Sequence, residues 1–213
     1  MANYPFELVG SNQKSGLNLF NFWGGNPPAS QEETRLNLVL QLIDQIIKGT
    51  NQSDNLQGTN GNDLLIGLGG DDRLVAGSGD DILVGGDGNN YLEGGQGRDT
   101  FVFDSAPSNQ NISIISDFDA AMDTIALSKQ VFQSLDLRIL QADKFHTYYE
   151  KSADNQNIQG ILFYFNTGEL IYNSDADKVA NVFAIISDPW QHKNINSSNF
   201  IVSNTSFLYD FDR

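Results

Sequence analysis

One apolar side chain returns at every ninth position between Gly49 and Val102, in six consecutive units: GTNQSDNLQ, GTNGNDLLI, GLGGDDRLV, AGSGDDILV, GGDGNNYLE and GGQGRDTFV. The eighth position is Leu56, Leu65, Leu74, Leu83, Leu92 and Phe101. Glycine dominates the first, second and fourth positions, where positive φ and close backbone approach let six residues form a tight turn. The remaining three residues make a minimal strand whose central apolar side chain faces inward and whose neighbours face out. Eighteen residues then make one coil of turn, strand, turn, strand, and six units make three coils that rise roughly 4.8 Å each. The pattern predicts an all-β fold built on a parallel β-roll over 49–102. A flexible Gly- and Asp-rich linker would not keep leucine at the eighth position of unit after unit.

The flanking zones follow other rules. Residues 1–48 open with an aromatic, glycine-rich lead ending at Pro27-Pro28. Ser30 to Glu33 then reads as a capping box. Leu36, Val39, Leu40, Ile43 and Ile47 follow at helical spacing, widened by Leu38, Leu42 and Ile46. This predicts an N-terminal helix closed by Gly49, lying over the first coil as a cap on its open edge and core. Residues 103–213 lose the nine-residue period and read as a β-rich C-terminal region. Strand-like segments lie at Ile112–Ile115, Asp123–Leu127, Gly160–Phe165 and Glu169–Tyr172, with a hairpin turn at Asn166-Thr167-Gly168 and a helical turn over Lys129–Leu135.

Charge and composition remove whole classes of function. Twenty-seven acidic residues against twelve basic ones give a net charge of −15 and a pI near 4.2. Such a chain does not seek nucleic acid or an anionic membrane surface. No apolar run approaches the ~20 residues that span a bilayer, so no membrane span is expected. Cysteine is absent, which excludes disulfides and thiol chemistry. The start, MANYPFELVG, has neither a charged leader nor an apolar stretch of the kind a Sec signal peptide carries.

The acids are concentrated where the repeats would stack them. The sixth position of each unit is Asp54, Asp63, Asp72, Asp81, Asn90 and Asp99. An eighteen-residue coil sets Asp54 beside Asp72, Asp63 beside Asp81, Asp72 beside Asn90 and Asp81 beside Asp99. Carboxylates at that separation repel, and so thin a roll buries little apolar surface to compensate. A hard cation taking six or more oxygens resolves both problems, with turn carbonyls completing its shell. Calcium fits; zinc lacks its usual ligands here, since His146 and His192 lie far from the repeats, and magnesium prefers its waters. Asn173, Asp175 and Asp177 form a second, weaker metal candidate, with alternating oxygen side chains but neither the glycine nor the glutamate of a calcium loop. The aromatic residues Trp23, Tyr148, Tyr149 and Trp190 suit either a β-rich core or stacking against sugar rings.

The nonapeptide G-G-x-G-x-D-x-U-x resembles that of the RTX (repeats-in-toxin) calcium-binding β-roll family. The segments DTFVFDS (99–105), ISDFDAAMDTIALS (115–128), ILFYFNTGELIYNSDAD (161–177) and INSSNFIVS (195–203) resemble the post-repeat region of serralysin-like members. The resemblance implies calcium binding, folding outside the cell, and export by type I secretion machinery through an uncleaved C-terminal signal. It implies no reaction. Neither H-E-x-x-H nor G-x-S-x-G occurs, so the protease and lipase chemistries of the family are missing. The sequence therefore favours a secreted, non-catalytic matrix, surface or adhesion component whose partners are calcium and the export apparatus. A carbohydrate-binding module on an extracellular polysaccharide is the second expectation, and an enzyme with an unfamiliar site in 103–213 the third.

Overall fold

The computed structural model describes residues 42–136, 138–152, 158–174, 180–188 and 194–203. Seven short strands wind through the repeats: β1 (Gln45–Lys48), β2 (Asn55–Gln57), β3 (Asp63–Ile66), β4 (Arg73–Ser78), β5 (Ile82–Val84), β6 (Tyr91–Gln96) and β7 (Thr100–Phe103). They alternate between two sheets, β1-β3-β5-β7 in one and β2-β4-β6 in the other, all pairs parallel. The register is eighteen residues throughout, with Leu65 opposite Leu83, Leu83 opposite Phe101 and Leu74 opposite Leu92. One coil is therefore two nonapeptides, as the spacing requires.

The eighth-position residues form a column between the sheets. Leu65, Leu74, Leu83, Leu92 and Phe101 are fully buried, and Leu56 at the open end nearly so. A second apolar layer lies on the outer face of the first sheet: Leu64, Ile66, Ile82, Val84, Val102, Ala126 and Ile201, joined by Ile43 and Leu68. Even-numbered units thus bury their seventh and ninth positions as well. The alternation expected of a half-solvated strand holds only in odd units, where NLQ, RLV and YLE keep polar or half-buried flanks. Continuous apolar triplets such as Leu64-Leu65-Ile66 and Ile82-Leu83-Val84 are the pattern of a sheet covered on both faces.

Beyond the repeats the sheets continue. The later strands are β8 (Ser113–Ile115), β9 (Thr124–Ser128), β10 (Arg138–Ile139), β11 (Phe145–Tyr148), β12 (Gly160–Tyr164), β13 (Glu169–Asn173), β14 (Asn181–Ile186) and β15 (Phe200–Ser203). β9 and β15 extend the first sheet in parallel, and β10 pairs antiparallel with β15. The second sheet runs β2-β4-β6-β8-β14-β13-β12-β11. The expected hairpin joins β12 and β13, with Gly168 at φ 72° and its N–H on the Tyr164 carbonyl at 2.8 Å. Phe118, Phe132, Phe163, Phe200 and Ile125 carry the inner column onward. The Lys129–Leu135 segment is a run of turns and bends without a helix, with the Phe132 N–H on the Ser128 carbonyl at 2.8 Å.

One expectation fails at the N-terminal edge. Gln45–Lys48, assigned by spacing to the end of a helix closed by Gly49, is a strand paired in parallel with β3. The Gly49 N–H serves the Ile66 carbonyl at 2.8 Å, continuing the sheet rather than ending a helix. Ile46 and Ile47 can satisfy either periodicity, and the exposed edge of β3 offers backbone partners that a helix cannot use. Residues 42–44 are turn, irregular backbone and bend, not helix, and the rest of the expected helix, like its capping box, lies outside the described residues.

Candidate metal centre

Two ladders of side chains clamp one coil to the next. In the first, the sixth-position side chain reaches back eighteen residues and accepts a backbone N–H. Asp72 Oδ1 takes Asp54 at 2.8 Å, Asp81 Oδ1 takes Asp63 at 2.7 Å, Asn90 Oδ1 takes Asp72 at 2.9 Å and Asp99 Oδ1 takes Asp81 at 3.0 Å. The four stacked pairs expected from the spacing are therefore neighbours. In the second ladder the fifth-position side chain reaches forward. Asn62 Oδ1 accepts from Asp80, Asp71 Oδ1 from Asn89 and Asp80 Oδ1 from Arg98, at 2.8 to 2.9 Å. Ser53, Asn62, Asp71, Asp80 and Asn89 carry a readable signal in their short polar side chains, but sequence reasoning gave them no role.

A further sixth-position residue was also missed. Asp123 Oδ1 accepts the Asp99 N–H at 3.0 Å, on the next rung of the first ladder. Its other oxygen takes the Asp119 N–H at 2.7 Å, four residues back. Phe118–Ala126 is thus a seventh unit, with Phe118 where glycine belongs and Ile125 at the eighth position opposite Phe101. The spacing from Asp99 is 24 residues instead of 18, which hides it from a periodicity search.

The second oxygen of each carboxylate separates the units into kinds. Thr50 donates its N–H at 2.6 Å and its hydroxyl at 2.9 Å to Asp54 Oδ2. Thr59 serves Asp63 Oδ2 in the same way, at 2.6 and 2.8 Å. Units three and four have no threonine. Asp72 Oδ2 and Asp81 Oδ2 are buried without a hydrogen-bond partner among the described residues, as is Asp63 Oδ1 at the foot of the ladder. Asn90, at the same position in unit five, presents nitrogen instead, 3.4 Å from the Gly86 carbonyl oxygen and 3.5 Å from that of Gly88. Second- and fourth-position carbonyls therefore converge beside the tip of the sixth side chain.

The column is an electrostatic liability without a counter-charge. Burial pushes Asp81 up to about 7, reinforced by the Asp63 and Asp80 charges and opposed by the Asp63 N–H. Burial likewise lifts Asp99 to about 8, with Asp123, Asp81 and Asp117 adding to it. Asp123 is raised to about 7 by burial, and Asp72 is raised by burial with Asp54 and Asp71 adding charge. Buried carboxylate oxygens lacking donors demand either a proton or a cation. The donor set is all oxygen, so a hard cation fits it and a thiolate- or imidazole-seeking one does not. Among the described residues no three His, Cys, Asp or Glu side chains converge on one point. A cation here would take one or two side chains and fill its shell from turn carbonyls.

The other candidates are placed differently. Asn173 is fully buried at the end of β13, opposite Gly160, while Asp175 and Asp177 lie outside the described residues. His146 stands on β11 with Nε2 buried and no hydrogen-bond partner among the described residues; His192 lies outside them. Tyr149 is exposed, and Tyr148 packs on the buried Tyr164 ring at 5.9 Å.

A parallel roll with cation-demanding turns at nine-residue intervals defines a calcium-binding repeat protein. Residues 48–83 and 75–105 match the RTX calcium-binding nonapeptide repeat, in four copies, and this part of the chain is an RTX repeat array that binds calcium. No curated protein matches the chain. Among solved structures, it is similar to the AlgE6R2 subunit of the Azotobacter vinelandii mannuronan C5-epimerase. The identity is 22% over 76% of this chain and 94% of that one, with a TM-score of 0.51. The AlgE6R3 subunit of the same epimerase gives 22% identity over 72% and 80% of the two chains, with a TM-score of 0.46. At this identity the likeness to AlgE6R2 is one of fold. Among the described residues no helix is long and apolar enough to cross a membrane.

Proposed function

We propose that this chain is an extracellular calcium-dependent module, non-catalytic, serving as a matrix, surface or adhesion component whose fold is set by external calcium. The observation that carries the reading is the pair of buried, donorless carboxylate oxygens on Asp72 and Asp81. Asp54, Asp63, Asp72, Asp81 and Asp99 are the candidate side chains, with turn carbonyls completing the shell, and Asn90 stands on the same ladder in unit five. Calcium, when bound, supplies the positive charge that the column lacks. The chain's own residues do the rest: the glycine turns bring carbonyls to the carboxylates, and both ladders fix the coil spacing. Sites of the extracellular class bind at ~10⁻⁴–10⁻³ M, so a chain in the cytosol stays unfolded and ready for type I export. Outside, mass action through several sites drives folding. Circular dichroism of the full chain with chelator and with millimolar calcium tests this. The β spectrum is expected only with calcium; an unchanged β spectrum in chelator at neutral pH overturns the reading.

The second reading is an accessory module on an extracellular polysaccharide. The exposed Tyr149, adjoining the Tyr148–Tyr164 stack, favours it, as does the fold shared with a subunit of an enzyme named for mannuronan. A glycan array probed with the calcium-loaded chain separates the two, since a matrix or surface component shows no saccharide-specific signal.

A further inference from the structure

Asn90 is 1 % exposed and occupies the rung that an aspartate fills in units three, four and six. Its Oδ1 does what those carboxylates do, taking the Asp72 N–H at 2.9 Å. Its Nδ2 does what no carboxylate can: it faces the Gly86 and Gly88 carbonyl oxygens at 3.4 and 3.5 Å. These contacts are long for hydrogen bonds, yet they put positive hydrogens where two negative carbonyl oxygens converge. The orientation follows from the network, because a flipped amide would set nitrogen against the Asp72 N–H and oxygen against both carbonyls. In unit four the corresponding atom is Asp81 Oδ2, an acceptor with no partner among the described residues. Gly77 and Gly79 there adopt positive φ of 118° and 128°, as Gly86 and Gly88 do at 81° and 111°. Both turns hold glycine at positive φ in the second and fourth positions, and they differ in the atom that the sixth side chain presents.

We propose that the Asn90 side-chain amide closes the turn of unit five from within, so that this unit takes no calcium while units three and four require it. The inference rests on the calcium reading above and assigns which turns of the roll the ion fills. Asn90 is then a built-in substitute for the ion, not a weakened ligand for it. It also leaves one metal-independent turn stacked on the unit that carries Asp72.

The test counts bound calcium per full-length chain, by metal analysis after gel filtration in calcium, together with calorimetric titration. Asn90→Asp is expected to raise the count by one and to shift the calcium midpoint of folding upward, because the variant loses its internal donor. Asp81→Asn is the reciprocal change. It is expected to lower the count by one, to fold, and to fold at less calcium than the parent. Tighter binding by Asn90→Asp at an unchanged count would show Asn90 to be a calcium ligand and overturn the inference, as would Asp81→Asn binding as many ions as the parent. If Asn90→Asp fails to fold even in saturating calcium, the count for Asp81→Asn decides. A parent chain that binds no calcium at all would instead sink the calcium reading itself.

Discussion

Stripping calcium should make the fold depend on pH in a direction opposite to ordinary acid denaturation. Burial raises Asp81 and Asp123 to about 7 and Asp99 to about 8, against a usual value of 3.8. Between pH 4 and pH 8 the metal-free folded chain therefore holds more protons than the unfolded one, so its stability falls as pH rises. From pH 5 to pH 8, Asp81 and Asp123 each cross about two pH units in that condition and Asp99 about three, roughly 10 kcal/mol in all at ~1.4 kcal/mol per unit. Relaxation and water entry reduce this, but even a third, about 3 kcal/mol, is a large part of the 5–15 kcal/mol that holds a domain together. Calcium supplies the counter-charge in place of protons, so the loaded chain should lose far less over the same range. Far-UV circular dichroism of the calcium-stripped chain from pH 5 to pH 8 reads the effect, with urea midpoints wherever it is folded. Without metal the β spectrum should be strongest near pH 5 and be lost toward pH 7, while the urea midpoint of the loaded chain stays nearly level. A metal-free chain whose β spectrum is unchanged or gains strength toward pH 8 would refute the electrostatic account of the column.

Three further outcomes follow from the geometry. Gly88→Ala should destabilise the calcium-loaded chain by at least ~2 kcal/mol in urea denaturation, because its φ is 111° and a Cβ there would run into the Gly70 carbonyl of the coil below. Asp123→Ala removes the acceptor for both the Asp99 and Asp119 N–H groups and should cost about 2–5 kcal/mol, with Asp123→Asn recovering part of the loss. If Asp123→Ala unfolds like the parent, the seventh unit does not support the roll. Phe101→Ala, at a fully buried point of the inner column, should cost about 3–5 kcal/mol and leave the calcium count unchanged.

What the sequence determined by itself is whatever repeats locally. Nine-residue spacing fixes an eighteen-residue coil, so the leucine column and the stacked sixth positions are legible in the order of residues alone. Short strands between clear turn signals, such as β12 and β13 around Gly168, are legible for the same reason: the chain needs only its neighbours to form them. The tertiary structure decided everything that depends on a distant partner. Gln45–Lys48 became a strand because the edge of β3 offers unsatisfied backbone groups, a fact no window of local sequence contains. Phe118–Ala126 became a seventh unit because the Thr100–Thr124 register aligns it after an insertion that breaks the period. The outer apolar layer of Leu64, Ile82, Val84 and Ile201 exists because the first sheet is covered on both faces. Above all, sequence set Asn90 among the sixth-position aspartates as one more member of the stack. Only the folded turn, which brings two carbonyl oxygens to the tip of that side chain, gives its nitrogen a purpose.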